Sequence, residues 1–409
     1  MKKHLVIIGN GMATGRLLQQ LNERAAGQFD ITVFGEEPGG SYNRVLLSPL
    51  LGGEMGLDKV ITLTTDWYAE NNVTLHSQDP VEVIDRENKR VISQSGVSID
   101  YDMLVVATGS RPSAVPVPGS DLKGVMSFRT LKDVEIMQQL AEEKKHAVVI
   151  GGGFLGLEAA EGLRLLGMDV TLLHRSSYLL NKQLDETAGE MLLDSLQERG
   201  LKFRLGAETE VIHGTVDVTA DGSDTEVKAV ELKSGEILPA DLVVMAIGVT
   251  PNKTLAETSG LNCQRGILVN AQMQTSDENI FSLGECCQFE NFTYGLVAPI
   301  WQQAEILVSK LLSKVAEYSE EAVATQLKIS GVELFSCGSL ADSDDTEALV
   351  YRDLKKNEYR KLWLKDNRLV GAVLYGDVRE GQWYFDQLKQ KNDLSACRQQ
   401  LLFGSPFCA

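Results

Sequence analysis

One local pattern occurs twice in this chain, and it constrains the fold more than any other feature. In the first copy the apolar run at residues 5–8 leads directly into a glycine-rich turn at residues 9–15; in the second copy residues 147–150 lead into residues 151–156. An uninterrupted aliphatic run is typical of a parallel strand that is buried on both faces. A glycine-rich turn after it lets the backbone approach a bound group closely. Each copy therefore predicts a strand that ends in a tight turn.

A helix and a second strand are predicted after each turn. Leu17, Leu18 and Leu21 have the spacing of one buried helical stripe, and residues 31–34 predict the next strand, as residues 170–173 do in the second copy. In such a unit the free N–H groups at the helix N-terminus bind a pyrophosphate. The residues expected to contact two dinucleotides are Gly9, Gly11 and Thr14 at the first turn and Gly151, Gly153 and Gly156 at the second.

The first turn departs from the usual fingerprint at one position. Thr14 stands where the third glycine is expected, with Gly15 beside it, which predicts slightly irregular packing of the helix on the strand. Glu36 follows the second strand and is placed to accept hydrogen bonds from a ribose hydroxyl, with Glu37 as the alternative.

The residues after the second strand of the second copy bear on the choice of dinucleotide. His174 and Arg175 occupy the place where a carboxylate would hold the 2′-hydroxyl of NADH. A carboxylate would repel a 2′-phosphate, whereas His174 and Arg175 would attract it. We therefore expect NADPH to be accepted and favoured over NADH, unless Arg175 points into water and the protein uses both.

Two later apolar runs match each other in the same way. Residues 104–109 and 242–248 each predict a buried strand that ends in small residues, at a similar offset from the two fingerprints. The repetition indicates duplicated nucleotide-binding units, and hence an α/β fold with two Rossmann-like domains. The small residues expected to line the two sites are Ala107, Thr108, Gly109 and Gly248.

These features together resemble the flavoproteins with two dinucleotide-binding domains, the glutathione-reductase-like fold. Residues 280–286 look like the late FAD motif of that family, with Glu285 in place of the more usual aspartate. Residues 36–48 and 295–299 are similar to the flavoprotein part of the large subunit of NAD(P)H nitrite reductases, to which rubredoxin and ferredoxin reductases are related. The resemblance implies FAD in the first unit and NADH or NADPH in the second. It also implies FAD contacts from Arg44, Ser48, Gly284, Glu285 and Val297.

The resemblance also implies a domain division in which the NAD(P)H domain is inserted within the FAD domain. The FAD domain is expected at residues 1–112 plus 246–318, and the NAD(P)H domain at residues 113–245. Residues 319–409 carry short alternating runs that predict an antiparallel sheet followed by a helix, hence a small α+β interface domain.

The cysteines exclude one branch of this superfamily. Disulfide reductases and NADH peroxidases use a cysteine on the flavin-facing helix of the first domain, and here the first cysteine is Cys263. Cys286 and Cys287 are adjacent, and neighbours on one strand point apart, which argues against a disulfide between them. No redox-active disulfide and no metal site are therefore expected.

Net charge and hydropathy exclude two kinds of partner. The formal net charge of -18 repels a phosphate backbone, so nucleic acid is not expected as a partner. No run of about 18 apolar residues is present, so no membrane span is expected, and the cytoplasm is the expected location.

Two charged residues are candidates for a catalytic role beside the flavin. Arg44 lies in the segment that the resemblance places near the isoalloxazine, and Glu158 follows the second fingerprint on its helix. We hypothesise an ion pair between them; the alternative is that they are unrelated solvated charges.

The sequence therefore predicts an FAD-dependent NAD(P)H:acceptor oxidoreductase that passes electrons to a separate redox partner. A nitrate or nitrite reductase of nitrogen assimilation is the favoured partner, and a rubredoxin or ferredoxin of another pathway is the first alternative. The second alternative is a flavin-bound redox-sensing or interaction protein that turns over poorly. A homodimer is compatible with the sequence, which contains no signal for or against one.

Overall fold

The structure is a computed structural model that describes residues 2–215, 226–329 and 331–408. The chain divides into two compact units. Unit 1 comprises Met1–Leu50, Met55–Pro112 and Val249–Glu320, and unit 2 comprises Leu51–Glu54, Ser113–Gly248 and Glu321–Ala409. The C-terminal residues therefore group with the segment that carries the second glycine turn. The three-domain division expected from the sequence stays a prediction.

The helices of the described residues follow in chain order. The α-helices are α1 (Met12–Ala25), α2 (Leu47–Leu51), α3 (Leu57–Val60), α4 (Thr65–Glu70), α5 (Leu131–Glu143), α6 (Phe154–Leu165), α7 (Glu186–Glu198), α8 (Thr254–Thr258), α9 (Val297–Leu311) and α10 (Gly381–Gln390). Short 3-10 helices span Arg44–Leu46, Ser395–Cys397, Leu401–Phe403 and Ser405–Phe407. No helix in these described ranges has the length and apolar character that crossing a membrane requires.

The strands are numbered in the same way. The first half of the chain contains β1 (Lys3–Ile8), β2 (Phe29–Gly35), β3 (Ser41–Tyr42), β4 (Ile61–Leu63), β5 (Val73–Ser77), β6 (Val81–Asp85), β7 (Arg90–Ser93), β8 (Ser98–Asp100), β9 (Met103–Val106), β10 (Ser110–Pro112), β11 (Val125–Ser127), β12 (His146–Ile150), β13 (Asp169–His174) and β14 (Lys202–Leu205). The second half contains β15 (Thr209–Gly214), β16 (Val227–Leu232), β17 (Ile237–Pro239), β18 (Leu242–Met245), β19 (Val249–Pro251), β20 (Ile267–Val269), β21 (Ile280–Ser282), β22 (Cys287–Phe289), β23 (Phe292–Thr293), β24 (Ala324–Ile329), β25 (Val332–Gly338), β26 (Glu347–Asp353), β27 (Glu358–Lys365) and β28 (Arg368–Tyr375).

Each unit contains a five-stranded parallel sheet, and four strands of the two sheets have matching topology, whereas the edge strand beside them comes last in the chain in unit 1 and first in unit 2. The strand order is β21-β9-β1-β2-β5 in unit 1 and β11-β18-β12-β13-β14 in unit 2. A three-stranded antiparallel meander is inserted at the same place in each, as β6-β7-β8 and as β15-β16-β17. This duplicated architecture confirms the predicted α/β fold class with two Rossmann-like units.

The apolar run of β1 explains why its sheet is buried on both faces. Leu5 and Ile7 point into one core cluster, which includes residues of α1 and α9. Val6 and Ile8 point into a second cluster on the opposite face, which includes residues of the β6-β7-β8 meander and α8. Because side chains alternate along a strand, both faces must be apolar and the run shows no alternation.

Residues 324–375 form an antiparallel sheet with the strand order β24-β25-β28-β27-β26. Asp366 and Asn367 connect β27 to β28 with positive φ values of 49° and 57°, which is the backbone of a tight hairpin turn. Helix α10 covers one face of the sheet, where Phe335, Leu362, Leu374 and Tyr384 share a core cluster. The predicted antiparallel sheet and closing helix are both present in this domain.

Candidate dinucleotide-binding sites

The same backbone geometry occurs where the first strand of each parallel sheet meets its turn. Gly9 has a φ of +102°, and a Cβ placed on it would lie 2.2 Å from the carbonyl oxygen of Ala107. Gly151 has a φ of +127°, and its Cβ would lie 2.2 Å from the carbonyl oxygen of Ala246. Only glycine tolerates both this φ and this approach. The turn after β1 is thus packed against the end of β9, and the turn after β12 against the end of β18.

The second fingerprint glycine, which is Gly11 in the first turn and Gly153 in the second, faces open space instead. Among the described residues, no atom lies within 4 Å of a Cβ placed on Gly11 or on Gly153, apart from the immediate chain neighbours. Their φ values of -83° and -87° are ordinary for any residue. The fold itself does not require glycine at either position, so the space beside each glycine suits a group that must touch the backbone.

The helices that follow these turns begin without a side-chain cap. Gly11 caps α1 and Gly153 caps α6, and neither offers a side-chain acceptor to the first backbone N–H groups. By contrast, Thr130 caps α5 and Asp185 caps α7 with side-chain oxygens. An uncapped helix N-terminus carries free donors and a partial positive charge, which is the arrangement that binds phosphate. The residues present therefore fit a pyrophosphate at each turn.

The third fingerprint position is occupied by different residues in the two turns, Thr14 in unit 1 and Gly156 in unit 2. In unit 2 a Cβ on Gly156 would lie 1.8 Å from the carbonyl oxygen of Gly151, so the helix packs directly on the turn. In unit 1 Thr14 occupies this position, fully buried, and its hydroxyl donates to the carbonyl oxygen of Gly9 at 2.7 Å. The threonine hydroxyl thus connects the start of the helix to the turn, and the slightly irregular helix packing expected at this position stays a prediction.

The late motif reaches the first turn from the other side of β9. Gly284 has a φ of +90°, and its Cβ position lies 3.2 Å from the side chain of Ala13 at the start of α1. Its N–H donates to Oε1 of the buried Gln303 at 2.9 Å, and Glu285 accepts a hydrogen bond of 2.6 Å from the Ser110 hydroxyl. Gln303 and Ser110 were missed in the sequence because no local spacing connects them to residue 284.

The small-residue turn after β9 is held from a distant part of the chain. The Thr108 hydroxyl donates to the carbonyl oxygen of Asn252 at 2.6 Å, and the Asn252 side chain donates back to the carbonyl oxygen of Thr108 at 3.0 Å. The N–H of Asn252 also donates to the carbonyl oxygen of Gly109. Asn252 therefore fixes the backbone of the residues predicted to line the first site, at the C-terminal edge of the parallel sheet.

Arg44 lies at this edge as well, in a cluster of charged and aromatic groups. It forms an ion pair with Glu37 and lies 5.0 Å from the centre of the Tyr42 ring, while the Tyr42 hydroxyl donates to Glu37 at 2.7 Å. Burial alone would lower the pKa of Arg44, but Tyr42, Glu37 and Glu285 together raise it above its ordinary value. Arg44 and Glu285, which the resemblance placed at the same cofactor, thus influence each other electrostatically.

The remaining predicted residues have the following places. Glu36 is exposed directly after β2, Ser48 is half-buried on α2, and Val297 is the first residue of α9, which begins without a side-chain cap. Glu158 is half-buried on α6, and Gly248 follows β18 with a φ of +116°. Arg44 belongs to unit 1 and Glu158 to unit 2, and their ion pair stays a prediction.

His174 has a structural connection that the sequence did not reveal. Its Nδ1 accepts a hydrogen bond of 3.1 Å from the N–H of Gly152, and the ring fills the space beside that glycine. Burial lowers the pKa of His174, although neighbouring hydrogen bonds with Asn181 and Tyr178 partly offset the effect. A ring nitrogen that accepts from a backbone N–H carries no proton, so His174 is neutral in this arrangement. The protonated Nε2 is buried and has no hydrogen-bond partner among the described residues, and the role of His174 in holding a 2′-phosphate stays a prediction.

Arg175 supplies the positive charge beside it. The side chain is 82% exposed, and its Nε lies 3.9 Å from Glu208, which also pairs with Lys233. We expect Arg175→Ala to lower kcat/KM for NADPH about tenfold and to leave that for NADH within about twofold, because a charge-assisted contact with the 2′-phosphate is lost. Lys233→Ala removes the other cation at Glu208 and serves as the control. If Arg175→Ala lowered kcat/KM equally for NADH and NADPH, Arg175 would not contact the 2′-phosphate.

The six cysteines are free thiols in the structure. Cys286 and Cys287 are fully buried, and burial raises the pKa of both thiols, Cys287 more strongly. The Cys287 thiol donates to the carbonyl oxygen of Gly284 at 3.2 Å, so this side chain packs against the backbone of the late motif. Among the described residues, no group of three or more His, Cys, Asp or Glu side chains is placed to hold a metal ion.

Comparison with known families and proteins agrees with this geometry. Residues 3–306 match the family model described as pyridine nucleotide-disulphide oxidoreductase. Residues 324–392 match the model described as the rubredoxin NAD+ reductase C-terminal domain. The two matches together cover both parallel sheets, the C-terminal antiparallel sheet and helix α10.

Individual relatives are similar over nearly the whole chain. A Bacillus subtilis nitrite reductase [NAD(P)H] is 42% identical over 96% of this chain and 48% of its own length. The assimilatory nitrate reductase electron transfer subunit of the same organism is 39% identical over 98% of this chain and 51% of its own length. A covalent putidaredoxin reductase–putidaredoxin complex superposes with a TM-score of 0.84 at 27% identity, over 96% of this chain and 94% of that one. The chain spans about half the length of these two Bacillus relatives.

Proposed function

The chain belongs to the pyridine nucleotide-disulphide oxidoreductase family, and from this premise we propose that it takes reducing equivalents from NAD(P)H and passes them to a separate redox partner. Family membership confirms three predictions: the family resemblance, the enzyme class, and the pair of cofactors, FAD with NADH or NADPH. The observation that carries the proposal is the pair of equivalent turns, at Gly9–Gly11 and at Gly151–Gly153, each open beside an uncapped helix N-terminus.

In this proposal each unit binds one of the two cofactors. In unit 1 the uncapped end of α1 holds the pyrophosphate of FAD, with Glu36 or Glu37 at the ribose hydroxyls and Glu285 at the ribitol chain. In unit 2 the uncapped end of α6 holds the pyrophosphate of the nicotinamide coenzyme. FAD held in unit 1 would supply two-electron hydride acceptance and one-electron release, which is the chemistry that a one-electron protein acceptor requires.

A partner in nitrate or nitrite assimilation is the acceptor that we favour. The supporting observation is the 39% identity, over almost the whole chain, to a protein named as the electron transfer subunit of an assimilatory nitrate reductase. In this proposal the chain works in the cytoplasm, and assembly into a homodimer stays a prediction. A rubredoxin or ferredoxin is the second candidate acceptor, which the match of residues 324–392 to a rubredoxin reductase domain favours.

The experiment that tests the proposal follows the flavin absorbance after rapid mixing without oxygen. The protein is reconstituted with FAD, reduced with one equivalent of NADH or NADPH, and mixed with nitrate reductase, nitrite reductase, rubredoxin or ferredoxin. We expect rapid bleaching by the coenzyme and rapid reoxidation by one class of acceptor, with buffer alone as the control. A protein that binds no FAD, or whose flavin the coenzymes do not bleach, would contradict the proposal. Bleaching followed by slow reoxidation with every acceptor would favour a redox-sensing protein.

A further inference from the structure

Two aromatic hydroxyls of the C-terminal sheet bind the segment around α7. Tyr359 on β27 and Tyr375 on β28 are opposite each other in the sheet register, and both are buried within unit 2. The Tyr359 hydroxyl donates to Oδ2 of Asp185 at 2.6 Å. The Tyr375 hydroxyl donates to the carbonyl oxygen of Met191 at 3.1 Å and lies 2.7 Å from the hydroxyl oxygen of Ser195. Tyr359 therefore holds the residue before α7, and Tyr375 holds the middle and the C-terminal half of the same helix.

Asp185 connects the sheet to the start of that helix. Its Oδ1 accepts the N–H of Ala188, which makes it the N-cap of α7, while its Oδ2 accepts the Tyr359 hydroxyl. Lys361 lies two residues along β27 on the same face, with its Nζ 3.9 Å from Oδ2 of Asp185. Burial, and then the hydrogen bond with Asp185, raises the pKa of Tyr359, so its hydroxyl stays protonated and remains a donor at neutral pH.

The segment before Asp185 is bonded to the second glycine turn. The N–H of Leu180 donates to the carbonyl oxygen of Gly152 at 3.1 Å. Leu180 is buried and has a φ of +52°, a left-handed conformation that a leucine adopts only when its surroundings hold it. The N–H of Leu184, next to Asp185, donates to the carbonyl oxygen of Leu180. A short chain of hydrogen bonds thus leads from Asp185 back to Gly152.

We propose that Tyr359 is a positioning residue for the nicotinamide coenzyme, because it holds Asp185 and, through residues 180–184, the backbone of the second glycine turn. The C-terminal sheet then contributes to coenzyme binding without touching the coenzyme. The inference rests on the proposed function, since it requires that the turn at residues 151–156 binds NADH or NADPH.

The test compares Tyr359→Phe with Tyr375→Phe in the FAD-loaded full chain. Each variant removes one buried hydroxyl from the same pair of strands and leaves the ring in place. For Tyr359→Phe we expect KM for the coenzyme to rise about fivefold to tenfold, a usual size for coupling between sites, with kcat unchanged. We also expect backbone amide hydrogen exchange in residues 178–184 to become at least about fivefold faster. Tyr375→Phe should change neither quantity, because its partners lie at Met191 and Ser195.

Two Asp185 variants provide the conservative comparison. Asp185→Asn keeps one oxygen that can cap α7, and its amide N–H can donate to the Tyr359 hydroxyl oxygen in place of the bond that Tyr359 donates to Asp185. This variant should therefore retain most of the coenzyme affinity, whereas Asp185→Ala should resemble Tyr359→Phe. Equal KM and equal exchange in the two tyrosine variants, or a loss confined to kcat, would overturn the inference. If the unmodified protein failed to bind NADH or NADPH, the proposed function would fall instead, and hydrogen exchange would still decide whether Tyr359 holds residues 178–184.

Discussion

Replacing Gly11 with valine should give a protein that folds normally and does not retain FAD. The backbone of Gly11 has a φ of -83°, which valine adopts readily, and no described atom other than its chain neighbours lies within 4 Å of the Cβ position. The added side chain would therefore cost the fold little but would fill the space beside the N-terminus of α1, where the pyrophosphate must touch the backbone. We expect the affinity for FAD to fall by at least about 100-fold, which is about 2.8 kcal/mol.

The measurement is FAD binding by fluorescence quenching, beside thermal unfolding of the cofactor-free forms. Cofactor-free forms are compared because bound FAD would itself raise the Tm. The Tm values of the variant and of the original protein should then agree within about 2 °C. Gly9→Val is the contrasting variant. Its Cβ would lie 2.2 Å from the carbonyl oxygen of Ala107 in a positive-φ conformation, so it should lower the Tm as well. Normal FAD retention by Gly11→Val would exclude the first turn as the FAD site.

Replacing Gly153 with valine should impair binding of the nicotinamide coenzyme and spare binding of FAD. The position has a φ of -87° and the same open space, but it lies at the start of α6 in unit 2. We expect this variant to retain FAD at full occupancy while the rate of flavin bleaching by NADH or NADPH falls by at least about 100-fold at low coenzyme concentration.

Gly11→Val and Gly153→Val serve as controls for each other. They introduce the same side chain at equivalent positions of two equivalent turns, so a general effect of valine on folding would appear in both. If Gly153→Val lost FAD while Gly11→Val kept it, the assignment of the two cofactors to the two units would have to be reversed. If neither variant impaired its own step, the fingerprints would be ordinary tight turns.

The sequence was most informative where the residues of one short segment were enough to predict a strand or the buried face of a helix. The run at residues 5–8 predicted β1, the stripe of Leu17, Leu18 and Leu21 predicted the buried face of α1, and residues 147–150 predicted β12. Burial on both faces forces such a run to be apolar throughout, and the turn that follows requires glycine. The fold class followed from these local requirements and from their repetition, whereas the family was predicted from the resemblance of residues 36–48, 280–286 and 295–299 to known flavoproteins.

Contacts between distant residues could not be predicted in this way. The pairing of Thr108 with Asn252, and the support of Gly284 by Gln303, leave no fixed spacing in the sequence. His174 was predicted from its place after a strand, but its bond to Gly152 and the resulting neutral ring depend on how the turn and the strand end pack. The same residue type at the same spacing could have been exposed and cationic.

The sequence by itself determined that two strand–turn–helix units exist, because the apolar run, the glycines and the helical stripe of each unit follow one another directly in the chain. Only the tertiary structure decided that residues 321–409 group with the second unit, and that the Tyr359 hydroxyl reaches Asp185 across 174 positions of the chain. A hydrogen bond of that kind depends on the packing of a sheet against a helix. Its two partners meet only because the folded chain buries them side by side, and no short segment of the sequence predicts that contact.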